Sequence, residues 1–144
     1  MALDPGSAEG YYRRGHTYYD RAALEDARDA KQWFDPAVAD FTPEMAIDPM
    51  GRMRLADAYC ARGSSHQQAK NYDAAIADFE KSIELGITAD GCSCDPYNPL
   101  LGLYTSETRQ FDKAWEIVRK ARKSKPWIAP ELLEKLKKDS GRNE

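Results

Sequence analysis

"NYDAAIADFEKSIELG", residues 71–86, decides how the chain is read. Tyr72, Ile76, Phe79 and Ile83 recur at steps of four, three and four, which lines one face of a 3.6-residue helix. Asp73, Asp78, Glu80, Lys81 and Glu84 fall largely on the other face. Asn71 is a predicted N-cap and Gly86 a predicted left-handed helix terminator. So short a helix is marginal alone and needs a packed partner. The partner lies just upstream in "RLADAYCARGSSHQQAK", where Gly63 interrupts a run of helix formers. A mid-helix glycine costs about 1 kcal/mol against alanine, so close approach of a second helix is its expected reason. The two runs, joined at Lys70–Asn71, predict a helical hairpin.

The pattern recurs. "EGYYRRGHTYY" lays Gly15 on Gly63, and "FDPAVADF" lays Phe34, Ala37 and Phe41 on Tyr72, Ala75 and Phe79. Further on, "YNPLLGLYTSE" lays Gly102 on Gly63, and "QFDKAWEIVRKARKSKP" supplies Phe111, Ala114 and Val118. Three hairpins in series follow, a repeat architecture. With 42% apolar and 31% charged residues, and no apolar run long enough to span a bilayer, a folded helical-repeat domain is expected and a transmembrane helix is excluded. No secretory leader is seen at the start, so the expected location is cytoplasmic.

At these positions the chain resembles the tetratricopeptide-repeat family, whose unit is a 34-residue helix–turn–helix. Repeat two carries Tyr59, Gly63, Tyr72, Ala75 and Phe79; repeat one Tyr11, Gly15, Tyr18, Ala37, Phe41 and Pro49; repeat three Leu101, Gly102, Phe111, Ala114, Ala121 and Pro126. The resemblance implies an all-α, short right-handed superhelical solenoid in a single domain. Repeat one would span about 8–49, repeat two about 52–87, repeat three about 95–126, and a capping helix about 130–139, with Leu132, Leu133 and Leu136 inward. Pro5 stands where the terminal proline of a preceding repeat would fall, so the chain is alternatively part of a longer array.

The departures carry their own expectations. Repeat one holds about ten extra residues, "RAALEDARDAKQ", rich in helix formers. They predict one unbroken first helix from about Ala8 to Gln32, with Tyr12, Tyr19, Ala23, Ala27, Ala30 and Phe34 in a stripe. "RMRL" adds a turn before Ala56. Pro43 should kink the second helix near Phe41–Thr42 or end it early.

The resemblance implies a non-enzymatic protein- or peptide-binding module with a groove formed by the first helices. The expected groove residues are Tyr12, His16, Tyr19, Asp57, Ser64, Gln67 and Gln68. Tyr12 and Tyr19 are its expected anchors, and Tyr11 and Tyr18 are sent inward. One subgroup of the family clamps a C-terminal carboxylate with lysine, asparagine and arginine. Those positions here hold Tyr12, His16, Ala61, Pro96 and Leu100, which lack the charge for it.

Other classes stay open. Self-assembly through exposed end helices would make a homo-oligomer. Cys92 and Cys94, with His66 or His16, offer a thiolate metal site at poor spacing. Unpaired thiols or a local Cys92–Cys94 disulfide is the plainer expectation, in a reducing compartment and without cofactor or metal. His16 and His66 could serve as general bases, but no motif places a nucleophile beside either. "YYRRGHTYY" mixes basic residues with aromatics, yet Tyr11 and Tyr18 are needed inside, so nucleic acid is not expected. Charge is uneven: net −8 over residues 1–108 and +6 over 109–138.

Overall fold

The computed structural model describes residues 8–24, 27–47, 49–85, 94–124 and 127–143. They form seven α-helices and one π-helical turn: α1 Ala8–Leu24, α2 Ala27–Ile47, α3 Pro49–Gln68, α4 Tyr72–Glu84, α5 Tyr97–Gly102, the π-turn Leu103–Glu107, α6 Phe111–Ser124 and α7 Pro130–Ser140. Packing is between chain neighbours, α1 on α2, α2 on α3 and α3 on α4, followed by α5 and α6 beneath α7. This is an all-α helical-repeat solenoid. Tyr11 and Tyr12 lie in α1, but their side chains fall outside the described set, as do Gly86 and Pro5.

The unbroken helix expected from Ala8 to Gln32 is not there. α1 ends at Leu24 and a separate α2 begins at Ala27. The two run antiparallel, since Arg14 meets Asp40 while Tyr19 meets Phe34. The stripe read as continuous is therefore folded back on itself. Tyr19 reaches Phe34 edge-on at 5.8 Å between ring centroids, and Tyr18 stacks on Trp33 at 6.2 Å, with the Arg21 guanidinium 5.0 Å from the centre of the Trp33 ring. Helix propensity accounts for the helical state of both segments. Burial of these aromatics, which propensity does not count, favours the fold-back.

Pro43 does not end α2, which continues to Ile47. Ahead of it, Thr42 turns its hydroxyl back to the Val38 carbonyl at 2.7 Å, while Ala37, Val38 and Phe41 are held in the core. Asn71 sits at the start of α4 without a side-chain cap bond. The turn is closed by backbone instead. Asn71 N–H donates to His66 O at 2.8 Å and Lys70 N–H to Gln67 O at 3.0 Å, with Lys70 left-handed at φ 61°. The third hairpin repeats the device. Arg109 is left-handed at φ 51°, again two residues before the aromatic that opens the next helix, and Gln110 N–H reaches Tyr104 O at 2.8 Å.

Equivalent positions do equivalent work in the first two hairpins. Ala37, Ala75 and Ala114 all have no exposed surface, so each second helix lies close against its first. A Cβ on Gly15 would stand 2.6 Å from Phe41 Cε1, and one on Gly63 would stand 3.0 Å from Phe79 Cδ1. Glycine is thus required by close approach, as the spacing predicts. At Gly102 the nearest atom is Leu132 Cδ2 at 3.9 Å, an ordinary contact. Gly15→Ala should therefore destabilise by about 1–3 kcal/mol through overpacking. Gly102→Ala should gain up to about 1 kcal/mol of helix propensity. Urea titration of both variants checks the opposite signs.

A second equivalence follows the glycines. Arg14 and Arg62 precede Gly15 and Gly63, and Asp40 and Asp78 precede Phe41 and Phe79. Arg14 forks onto Asp40 with Nε at 3.1 Å and Nη2 at 2.9 Å. Arg62 forks onto Asp78 with both bonds at 2.8 Å, and its Nη1 reaches Asp35 of α2 at 2.9 Å, linking hairpins one and two. The Asp78 hydrogen bond is the main cause that raises the Arg62 pKa, against burial. In hairpin three the matching residues are Leu101 and Ile117, both buried.

Cys60, wholly buried in α3, is bonded to Cys94, just ahead of α5. This corrects the expectation of unpaired thiols or a local Cys92–Cys94 bridge. The pairing depends on hairpin packing that brings the two Cα atoms to 6.1 Å across 34 residues. Beyond α6, α7 starts with proline at its first turn and buries Leu136 completely, with Leu132 and Leu133 half-buried. Trp115 Nε1 donates to Ser140 Oγ at 3.2 Å, fixing α7 over the last hairpin.

Candidate functional site: a pocket between first helices

α1 and α3, the first helices of hairpins one and two, border a pocket of about 160 Å³. His16 and Tyr19 line it from α1, Arg54 and Asp57 from α3, and Phe41 of α2 forms its floor. The floor exists because residue 15 is glycine, which lets the Phe41 ring come up against α1. Tyr19 has its ring fixed by Phe34 and is only partly exposed. His16 is exposed, and its Nδ1 lies 2.9 Å from Asp20 Oδ2. Cationic and anionic groups thus converge over an apolar base.

This pocket collects three of the seven predicted groove residues, His16, Tyr19 and Asp57. The Tyr12 side chain lies outside the described residues. Ser64 spends its hydroxyl on the Cys60 carbonyl at 3.1 Å. Gln67 and Gln68 lie toward the other end of α3 and do not line the pocket. Sequence reading missed Arg54 and Phe41. Arg54 was within reach, because a step of three back from Asp57 stays on the same helix face. Phe41 could only be assigned to the core, since nothing local shows that Gly15 exposes its ring edge.

Tyr19 corrects a simpler picture of an exposed anchor. It packs on Phe34 and against the cluster of Ala37, Val38, Phe41, Leu55 and Ala58. Tyr18, assigned inward, is also half-buried. Adjacent positions on one helix share the burial because α2 spans both faces. Pro96 and Leu100, matched above to groove positions, are buried and face no groove.

The volume bears on ligand class. Sites for small molecules and cofactors run to about 300–1,000 Å³. A space of 160 Å³ holds about one side chain of a longer ligand. The metal alternative loses a ligand, because Cys94 is bonded to Cys60. Among the described residues no group of three His, Cys, Asp or Glu side chains is placed around a common cation site.

Residues 56–85 match the family model of the tetratricopeptide repeat. The match covers the second part of α3, the turn with left-handed Lys70, and all of α4. No curated protein and no solved structure matches the chain. A repeat of this kind suggests a protein-interaction scaffold in general. No helix among the described residues is long and apolar enough to cross a membrane.

Proposed function

We propose that the chain, which carries a tetratricopeptide repeat at 56–85, is a non-enzymatic binder of protein or peptide partners. The observation that supports it is the pocket between α1 and α3, where His16, Tyr19, Arg54 and Asp57 surround the Phe41 floor. A partner segment lying along the first helices would seat one side chain there and bond to the polar rim. Tyr12, seven residues before Tyr19 on α1, would extend the contact by two turns. The step from fold to function is an analogy, and the site gives it chemistry. The Cys60–Cys94 bond supports an oxidising compartment rather than the reducing cytoplasm that the cysteine count favours.

The test is selection of peptides from a random display library on the immobilised chain, followed by isotherms with the selected sequences. Arg54→Ala and Asp57→Ala should each weaken binding by about 1–2 kcal/mol, roughly tenfold or more, with little change in melting temperature. Tyr19→Ala should weaken binding and also melt earlier, because its ring is shared with Phe34. Selected peptides that bind Arg54→Ala and Asp57→Ala as tightly as the parent would remove this site from consideration.

A further inference from the structure

On another face, α4 and α6 border a groove of about 540 Å³ floored by Ile83, Tyr97 and Ile117. Its origin is the short third hairpin. α3 begins at Pro49, fourteen residues before Gly63, whereas α5 begins at Tyr97, five before Gly102. Less first helix separates the second helices here than in hairpin two. Glu80 and Glu84 form one wall and Lys120 and Lys123 the other. The signs extend along the helices: apart from Asp78, which is turned inward to Arg62, α4 carries three carboxylates and one lysine, and α6 carries five cations and two carboxylates. Glu84 contacts Lys81 at 2.9 Å and Lys120 contacts Glu116 at 3.0 Å, but both are exposed pairs of little strength. Trp127 is 70% exposed. Its carbonyl accepts from Asn98 Nδ2 at 2.9 Å, one residue from Tyr97 in the groove floor.

We propose that this face is a two-fold interface between two copies of the chain, with α4 of each lying over α6 of the other and Trp127 anchoring at the groove. The charge pattern selects this occupant. A groove of one sign calls for a foreign partner of the opposite sign. A groove with one acidic and one basic wall is its own complement. Rotation by half a turn about an axis along the groove sets acid over base and base over acid together. Rotation about an axis across it sets like over like. A closed, self-complementary patch of this kind is what an isologous dimer requires. The largely buried floor offers little apolar area, and an exposed tryptophan supplies what the floor lacks.

Sedimentation of the full chain over a concentration series tests this. The mass should rise from 16.3 kDa towards twice that value, and association should weaken with added salt. Lys120→Glu/Lys123→Glu and Glu80→Lys/Glu84→Lys should each weaken the dimer by about tenfold or more. An equimolar mixture of the two variants should restore it, because each supplies the sign that the other lost. Glu80 also accepts from the Tyr104 hydroxyl, so Trp127→Ala, which alters only an exposed side chain, gives an independent loss of about tenfold or more in a folded protein. A parent that stays monomeric through millimolar concentration, a mixture of folded variants that stays monomeric, or a dimer indifferent to Trp127→Ala would each overturn the proposal. Arg54→Ala, on the α1–α3 pocket, should leave dimerisation unchanged, which separates this result from the fate of the peptide-binding reading.

Discussion

Arg62→Leu should cost about 3 kcal/mol, while Arg62→Leu with Asp78→Ile should return to within about 1 kcal/mol of the parent. The single change strands a carboxylate whose side chain is only 8% exposed. Asp78 would lose two hydrogen bonds and its nearest positive charge, and His66 Nε2 stands 3.8 Å away. Removing one partner of a buried pair is the costly operation; replacing both with apolar groups of matching shape is often neutral. Hairpin three supplies the replacement, with Leu101 and Ile117 at the equivalent positions. The Arg62–Asp35 bond is lost in either variant, but Asp35 is 44% exposed and rehydrates. Guanidinium titrations of the parent and of the single and double variants decide it. A double variant as unstable as the single one would mean that the fork to Asp78 fits a shape that an apolar pair does not fill.

Reduction should lower the melting temperature by about 10–15 °C. The Cys60–Cys94 bond closes a loop of 34 residues that contains all of α4. On the chain-entropy account a loop of that length contributes about 4 kcal/mol, and for a chain of this size each kcal/mol shifts melting by roughly 3–4 °C. Cys94→Ser should reproduce the shift, whereas Cys92→Ser should leave the oxidised melting point alone. Mass spectrometry of the unreduced digest should recover the Cys60 peptide joined to the Cys94 peptide. Equal melting with and without reductant, or Cys60 free to react after unfolding without reductant, would count against the pairing.

Tyr72, Ile76, Phe79 and Ile83, with Gly63 upstream, specify a packed hairpin through local period alone, and the family match falls on that stretch. The same reading places Gly15 against Phe41 in hairpin one, because the glycine and the aromatic keep their spacing within each helix. Helix face and the family resemblance together put His16, Tyr19 and Asp57 among the expected groove residues, and these three line the pocket between α1 and α3. Arg54 was on that face and was passed over.

What sequence by itself determined is therefore periodic: the all-α class, the serial hairpins and the capping helix. What only tertiary structure decided is every choice between locally equivalent states. Residues 8–32 suit one helix or two, and packing of Tyr18 on Trp33 and Tyr19 on Phe34 gives two. Asn71 suits a cap, but the backbone of Lys70 and Asn71 closes the turn without its side chain. Three cysteines allow three pairings, and hairpin packing brings Cys60 and Cys94 together. Tyr19 looks exposed by helix face alone and is half-buried because α2 passes beneath it. The Asn71 turn is settled by backbone bonds only three and five residues long, and the other three share one physical reason. Helix period is written in neighbours a few residues apart, whereas burial and pairing depend on segments 15 to 34 residues away, whose approach no local pattern records.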